Sequence, residues 1–191
     1  MPLVSPLLAG GFIAPNLLAT GQIGQAMPKF ALGVSLGVVD YLSDARVVSV
    51  DTGTLGVGLT IFPLIVPQPL LLGALFTGFG SMGILGPMAP LLITGLANGI
   101  TLGLVSLALL NINHPGVGVG AGVARILGGS AIPSMLDGFD NVGMSADGPK
   151  KTATAIGIAL DITFAAFFQP VPIVGPPSPV PGGGVGFGSI L

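Results

Sequence analysis

Residues 83–107, GILGPMAPLLITGLANGITLGLVSL, form a continuous run without a charged side chain. The uncharged stretch from 91 to 110 has the twenty residues that an α-helix needs to cross roughly 30 Å of hydrocarbon. A segment of this kind has to be buried, either in a lipid bilayer or against other protein. The remaining sequence must decide between these two environments.

The whole chain is poor in charge. Its 191 residues include five basic and seven acidic side chains, and 51% of the residues are hydrophobic. Charged residues make up 6% of the chain, against roughly 25% in a typical soluble domain. So few charges cannot cover a globule of this size, and the sequence therefore predicts large apolar surfaces that contact protein or membrane. The length suits a single domain over 1–191.

Composition and motifs argue against several functions. The formal net charge of −2 argues against nucleic-acid binding, because contacts with phosphates require a basic patch. The chain has no Cys, and its single His, His114, precedes a proline, which favours a turn residue over a zinc ligand or catalytic base. The strings GVGVGAG and GGGVGFG lack the helix and acidic residue of a dinucleotide site. We therefore expect a non-enzymatic protein without metal or cofactor.

Asp161 is the one unusual charge, because it falls near the middle of an apolar helix predicted over about 150–168. A carboxylate in such a position is expected to be buried and paired with a cation. Arg125 and Arg46 are the two candidates for that partner. We interpret the pair as structural and not as catalytic.

Three segments centred on a proline resemble one another: GQIGQAMPKFALGV at 21–34, GSMGILGPMAPLLI at 80–93 and VGMSADGPKKTATA at 142–155. Their prolines, Pro28, Pro87 and Pro149, are 59 and 62 residues apart. The first two segments share the pattern G-x-[I/M]-G-x-x-x-P. The spacing indicates an internal repeat of about 60 residues, which has to be recognised before any fold is assigned.

A second comparison supports the repeat. At an offset of 62 residues, six of the sixteen residues in 86–101 are identical in 148–163. Upstream, LFTGF at 75–79 and MLDGF at 135–139 look like one further shared element. The alternative is that a chain rich in Gly and Pro gives such matches by coincidence. The recurring order of elements favours the repeat.

Each unit reads as a Gly-rich lead-in, a proline in the first helical turn, an apolar helix, and a short Gly-Val-Gly strand. The predicted helices cover about 29–42, 88–110 and 150–168. The predicted units cover about 7–60, 68–123 and 131–191. The sequence thus predicts a mixed α/β (α+β) fold in a pseudo-threefold arrangement, with three apolar helices near the axis and Gly-rich strands outside.

The central helix carries a glycine face. Gly95, Gly99 and Gly103 follow one another at intervals of four and place their Cα atoms on one side, where another backbone can approach closely. The other two predicted helices offer possible partners with small residues of their own: Gly33 and Gly37 in the first, Ala153 and Gly157 in the third. We predict that these glycines are helix-packing positions.

The sister helices are poor membrane spans. The first has about a dozen residues before Asp40, and the third begins with Lys150 and Lys151 and carries Asp161 near its middle. A carboxylate at the centre of a span costs several kcal/mol, and no basic loop sets an orientation. If the units share one fold, burial against protein explains all three helices better than a membrane explains one.

Three Gly- and Pro-rich segments resemble hydrophobic virion structural proteins of tailed bacteriophages, especially the contractile-tailed ones: LLAGGFIAPNLLATG at 7–21, HPGVGVGAGV at 114–123 and VPIVGPPSPVPGGGVGFGSIL at 171–191. The resemblance implies a small apolar component of the particle, located at the tail tip or baseplate. It also implies synthesis in the host cytoplasm followed by assembly into the virion. The chain departs from spike-tip proteins of the PAAR class, because it lacks a Pro-Ala-Ala-Arg motif and their metal ligands.

Two functional hypotheses follow. The first is a non-enzymatic virion protein whose partners are other virion proteins, with a trimeric tail hub or spike beneath it. In that case the uncharged helix over 88–110 is the segment that could enter the host membrane during ejection. The alternative is an integral membrane protein, either a channel or a holin-like pore.

Overall fold

The protein is described by a computed structural model. Its backbone is described for residues 4–43, 46–51, 57–61, 68–107, 109–113, 120–127, 130–167, 171–175 and 185–189. Its side chains are described for residues 4–43, 69–104, 130–163 and 165. The predicted turn residue His114 lies outside the described residues.

Three helical hairpins form the packed part of the chain. The first begins with a continuous helical rod, here called the N-terminal rod, made of α1 (Ser5–Leu7), a π-helical segment (Leu8–Ile13) and α2 (Ala14–Ala19). The rod is followed by α3 (Met27–Ser43). The second hairpin consists of α4 (Gln68–Ser81) and α5 (Ala89–Leu107), and the third of α6 (Ala131–Asp140) and α7 (Asp147–Phe167).

The packed body is all-α. Of the residues whose side chains are described, 80% are helical and none lies in a strand or sheet. The predicted mixed α/β class, with a helix and short strands forming each unit, is therefore wrong for this body. The physical reason is that a second helix covers the buried face of each predicted apolar helix, so the core needs no sheet.

Six short strands are described as backbone only: β1 (Arg46–Asp51), β2 (Val57–Ile61), β3 (Leu109–Asn113), β4 (Gly120–Leu127), β5 (Val171–Gly175) and β6 (Val185–Ser189). They pair antiparallel in chain order, and β6 also pairs with β1. The closely packed element pairs join helix to helix or strand to strand. The core side chains that the structure describes all come from the helices.

The three hairpin turns share one backbone geometry. Each first helix ends in a Schellman motif, in which a glycine with positive φ follows the helix and the next N–H donates to a carbonyl five residues back. The glycines are Gly21, Gly83 and Gly143, with φ of 79°, 67° and 77°. The bonds run from Gln22 N to Leu17 O (2.8 Å), Ile84 N to Phe79 O (3.2 Å) and Met144 N to Phe139 O (2.9 Å).

The burial of the side chains recurs in the same way. Except at Ala89, positions 71–103 have the same burial, residue by residue, as 131–163. Positions 28–42 have the same burial as 90–104. The hairpins are therefore offset by 62 residues from first to second and by 60 from second to third, and we call this correspondence the burial register.

The repeat prolines occupy different places at the starts of their helices. Pro28 is the second residue of α3, Pro149 is the third residue of α7, and Pro87 precedes the first residue of α5 by two positions. In the burial register, Pro28 corresponds to Pro90 and to Lys150. The sequence comparison aligned the second and third units at an offset of 62 residues. The burial register relates them at an offset of 60, so the two alignments differ by two residues.

Neighbouring hairpins meet along three contacts, here called seams. In the first seam α3 packs on α4, in the second α5 packs on α6, and in the third α7 packs on the N-terminal rod. The third seam joins the last hairpin to the first, so the three hairpins close on one another. Their shared core consists of Leu, Ile, Val, Ala, Met, Phe and Tyr side chains from the N-terminal rod and from α3 to α7.

The two ends of the body differ. The early residues of α3 and α5 lie beside the late residues of α4 and α6, which places neighbouring turns side by side. Gln22 Nε2 donates to Gly148 O at 3.4 Å and links the first turn to the beginning of α7. All three turns therefore lie at one end, here called the turn end, and the helix ends that continue toward the strands lie at the other.

Candidate functional site

The first seam is built on glycines that leave no room for a side chain. A Cβ added at Gly37 would lie 2.8 Å from Leu75 Cα, and one at Gly33 would lie 3.2 Å from Phe79 Cδ2. Real Cβ atoms do not approach backbone atoms to 2.8 Å, so the two helices approach as closely as they do only because Gly37 has no side chain. A Cβ at Gly78, across the seam, would collide with Gly33 O.

The second seam repeats this construction. A Cβ at Gly99 would lie 2.8 Å from Met135 Cα, and a Cβ at Gly103 would lie 3.0 Å from Ala131 Cβ. Gly95 faces Gly138, whose carbonyl oxygen would be 3.4 Å from an added Cβ. The glycine face of α5 therefore lies against α6, the first helix of the next hairpin, and not against α3 or α7.

Gly157 has a different position. An added Cβ there would lie 2.8 Å from Ile132 Cα, so this glycine faces the other helix of its own hairpin. In α7 the register counterparts of the glycine face are Ala155, Ala159 and Thr163, which are all buried. At the same three positions α3 carries Gly33 and Gly37 and then Tyr41, so the helices of the three seams differ in these side chains.

The sequence prediction did not include the glycines on the opposite sides of the seams. Among the glycines that the structure describes, Gly78 and Gly138 have the least space: a Cβ at Gly78 would collide with Gly33 O, and one at Gly138 would collide with Gly99 N. Both glycines sit in the shared element LFTGF and MLDGF. That element was the available sequence signal, since its glycine recurs at the offset of the burial register.

Asp161 holds the beginning of the neighbouring helix. Its Oδ1 accepts a hydrogen bond from Ala131 N–H at 2.7 Å, and its Oδ2 accepts one from Ser130 Oγ at 2.9 Å. Ser130 Oγ in turn accepts from Ile132 N–H at 3.2 Å and caps α6. The partners of Asp161 in the described residues are therefore groups at a helix N-terminus, where a carboxylate is favourable. The side chains of Arg125 and Arg46, the predicted partners, are outside the described ones.

We expect Asp161→Ala to lower the free energy of unfolding by about 1–3 kcal/mol, because two donors at the beginning of α6 lose their acceptor. Asp161→Asn is the matched control, since its amide oxygen can still accept from Ala131 N–H and should cost less. Denaturant titration followed by circular dichroism measures both variants. Equal stability of Asp161→Ala and the parent chain would contradict a capping role.

Within the described residues, no three His, Cys, Asp or Glu side chains lie close enough together to hold a metal ion. Burial raises the pKa of the Tyr41 phenol above its ordinary value, so this hydroxyl stays neutral well into the alkaline range. As far as the residues of the helices are described, none combines the length and hydropathy that a membrane crossing requires.

The turn end carries an open apolar cavity of about 320 Å³. Its lining includes Phe30, Leu92 and Thr152, which are counterparts in the burial register and come from the three different hairpins. Ile23 of the first turn and Met27, the first residue of α3, also line it. The cavity therefore opens where the three hairpins meet.

Comparisons with known proteins return no family: no protein-family model, no curated protein and no solved structure matches the chain.

Proposed function

We propose that the chain is a non-enzymatic structural protein of a tailed bacteriophage, a hydrophobic component of the tail baseplate, hub or spike tip. In this proposal it is seated on a trimeric partner and contacts other virion proteins. The observation that carries the proposal is the threefold recurrence of one helical hairpin, with the same turn, the same burial register and a seam to each neighbour.

Symmetry matching links that observation to a trimer. A single chain of three similar units can present three similar surfaces, and a trimer presents three identical ones. Such a chain can satisfy all three subunits at once, whereas an asymmetric chain would leave two of the three contacts unmatched. The pseudo-threefold hairpins thus support a place on the axis of a trimeric hub or spike.

The surface of the helical body supports a place inside an assembly. Exposed positions on the flanks of the helices are filled by small uncharged residues, among them Gly10, Gly11, Pro15 and Gly73. Large apolar side chains are also exposed, including Leu70 and others at both ends of the body. Contact with neighbouring subunits would remove this apolar surface from water.

The assignment to a phage tail rests on the sequence resemblance given above, and the low charge agrees with it. The proposed location is the virion, after synthesis in the host cytoplasm. No nucleic-acid contact is proposed, because the chain has no excess of basic residues.

Fractionation tests this proposal. The chain should be found by mass spectrometry in purified particles of the phage that encodes it, and it should stay with tails when heads and tails are separated. An amber mutation in its gene, with a suppressor host as the control, should give particles with defective tails. Recovery of the chain only from detergent-extracted membranes, with none in particles, would overturn the proposal and favour the membrane alternative.

A further inference from the structure

We propose that the N-terminal rod is a releasable strap, which leaves α3 and α7 as a unit and opens the third seam while the other helices stay packed. Release turns three hairpins that close on one another into an open row, because the third seam joins the last hairpin to the first. The inference goes beyond the proposed function and does not rest on it. In the setting of that function, only the docked form would present three similar surfaces to a trimer.

The rod is helical against the intrinsic preference of its residues. Two adjacent glycines, Gly10 and Gly11, lie in its π-helical segment, and both are exposed. Pro15 follows in α2 and has no N–H to donate to the preceding turn. A segment of this length and composition does not stay helical in water by itself. Undocking and loss of the helix therefore occur together, and the backbone entropy that the segment regains favours release.

The third seam lacks the glycine contacts that bring the helices of the other two seams together. An added Cβ at Gly10 would meet nothing within 4 Å, and one at Gly11 would meet Leu7 of the rod itself. Gly157 of α7 faces α6 and not the rod. The rod is held instead by buried Leu and Ile side chains. None of the described glycines of the rod or of α7 therefore fixes the third seam.

A buried hydrogen bond joins the beginning of the rod to α3. Ser35 is fully buried, and its hydroxyl donates to Ser5 O at 2.7 Å. The counterparts of Ser35 in the burial register are Ala97 and Gly157, whose side chains have no polar group. When the rod leaves, water can accept from the Ser35 hydroxyl in place of Ser5 O. The bond thus fixes the position of the docked rod without leaving an unpaired donor after release.

The register position of Ser35 faces the first helix of its own hairpin. An added Cβ at Gly157 would lie 2.8 Å from Ile132 Cα in α6, and Ser35 reaches the rod from the corresponding place. Ala97 is the counterpart in the second hairpin and is fully buried. The chain has no Cys, so a thiol introduced at position 35 or 97 reports the uncovering of one position in each hairpin.

Thiol labelling tests the inference on the full chain. Ser35→Cys and Ala97→Cys are each treated with a maleimide under native conditions, and their labelling rates are compared. Ser35→Cys should react faster than Ala97→Cys by about tenfold or more, because release of the rod uncovers it without global unfolding. In low denaturant the rate at position 97 should rise steeply and the rate at 35 should change less, since release of a short segment exposes less surface.

Alanine in the rod should slow its release. Gly10→Ala combined with Gly11→Ala should reduce the labelling rate of Ser35→Cys by about tenfold, because alanine favours the docked helix at two positions where a side chain has room. Gly73→Ala is the matched control, since it makes the same change at an exposed position of α4. It should leave the labelling rate at position 35 unchanged.

Hydrogen exchange of the unaltered chain gives a second readout that needs no Cys. The amides of the rod should exchange as a group and well before those of α5. Equal labelling at positions 35 and 97, no effect of the two alanines, or exchange of the rod together with α5 would each overturn the inference. These measurements use the isolated chain, so their failure would leave the virion proposal standing. Absence of the chain from particles would in turn leave the release of the rod untouched.

Discussion

Gly138→Ala is expected to destabilise the protein by about 3 kcal/mol or more, enough to unfold a domain of marginal stability. The added Cβ would collide with Gly99 N and lie 2.6 Å from both Gly95 O and Gly99 Cα. These are backbone atoms of a packed helix, so the clash can be relieved only by moving α5 away from α6. Denaturant titration followed by circular dichroism measures the loss.

Gly73→Ala is the matched control, because it makes the same chemical change inside a helix. Gly73 lies in α4 at an exposed position with nothing within 4 Å of an added Cβ. Alanine there should stabilise the protein by about 0.5–1 kcal/mol, through the lower conformational entropy of the unfolded chain. The two variants should thus differ in sign. A stabilising Gly138→Ala would contradict the close approach of the helices in the second seam.

Phe79→Ala is expected to cost about 3–5 kcal/mol, the usual range for removing a buried aromatic ring from a core. Phe79 is 1% exposed, and its ring meets Phe30 edge to face with the centroids 5.5 Å apart. Its register counterpart Phe139 is fully buried, but the counterpart of Phe30 is Leu92. Phe139→Ala should therefore cost somewhat less, by about the 0.5–1.5 kcal/mol of an aromatic pair.

Leu70→Ala provides the control on the same helix as Phe79. Leu70 is 56% exposed, so its truncation should change the free energy of unfolding by less than about 1 kcal/mol. Thermal or denaturant unfolding of the three variants measures the order of their free energies of unfolding. Similar stability of Phe79→Ala and Leu70→Ala would contradict the position of the core between the hairpins.

The second helix of each hairpin could be predicted because it has a clear apolar pattern and a proline near its start. The predicted helices at 29–42, 88–110 and 150–168 correspond to α3, α5 and α7 within a few residues. The first helices could not be predicted in the same way. Glycines and prolines interrupt them, as in LAGGFIAP of the N-terminal rod, and intrinsic propensity argues against a helix there.

Tertiary packing overrides that propensity. Leu8, Ile13 and Leu17 of the N-terminal rod are buried in the core and lie on one side of it. The helical segments that sequence propensity disfavours are thus stabilised by contacts that the local sequence does not reveal. The prediction of strands in the packed units is wrong for the same reason, because the segments that read as Gly-rich lead-ins fold into the helices that cover α3, α5 and α7.

The glycine face of α5 could be predicted from the sequence, but the helix that packs on it could not. The spacing of Gly95, Gly99 and Gly103 indicated a close approach of another backbone, and the structure places each of them against a neighbouring helix. The spacing did not indicate which helix packs against these glycines. The partner is α6, whose Gly138 lies across the seam in the recurring element MLDGF.

The copy number in purified particles tests the central claim most directly. Isotope-labelled reference peptides can measure the amount of this chain relative to the subunit of the trimeric hub or spike that it contacts. A pseudo-threefold chain seated on the axis predicts one copy for every three hub subunits. An equal number of copies, or absence of the chain from particles, would contradict the account, because neither result is compatible with a single chain that matches three subunits at once.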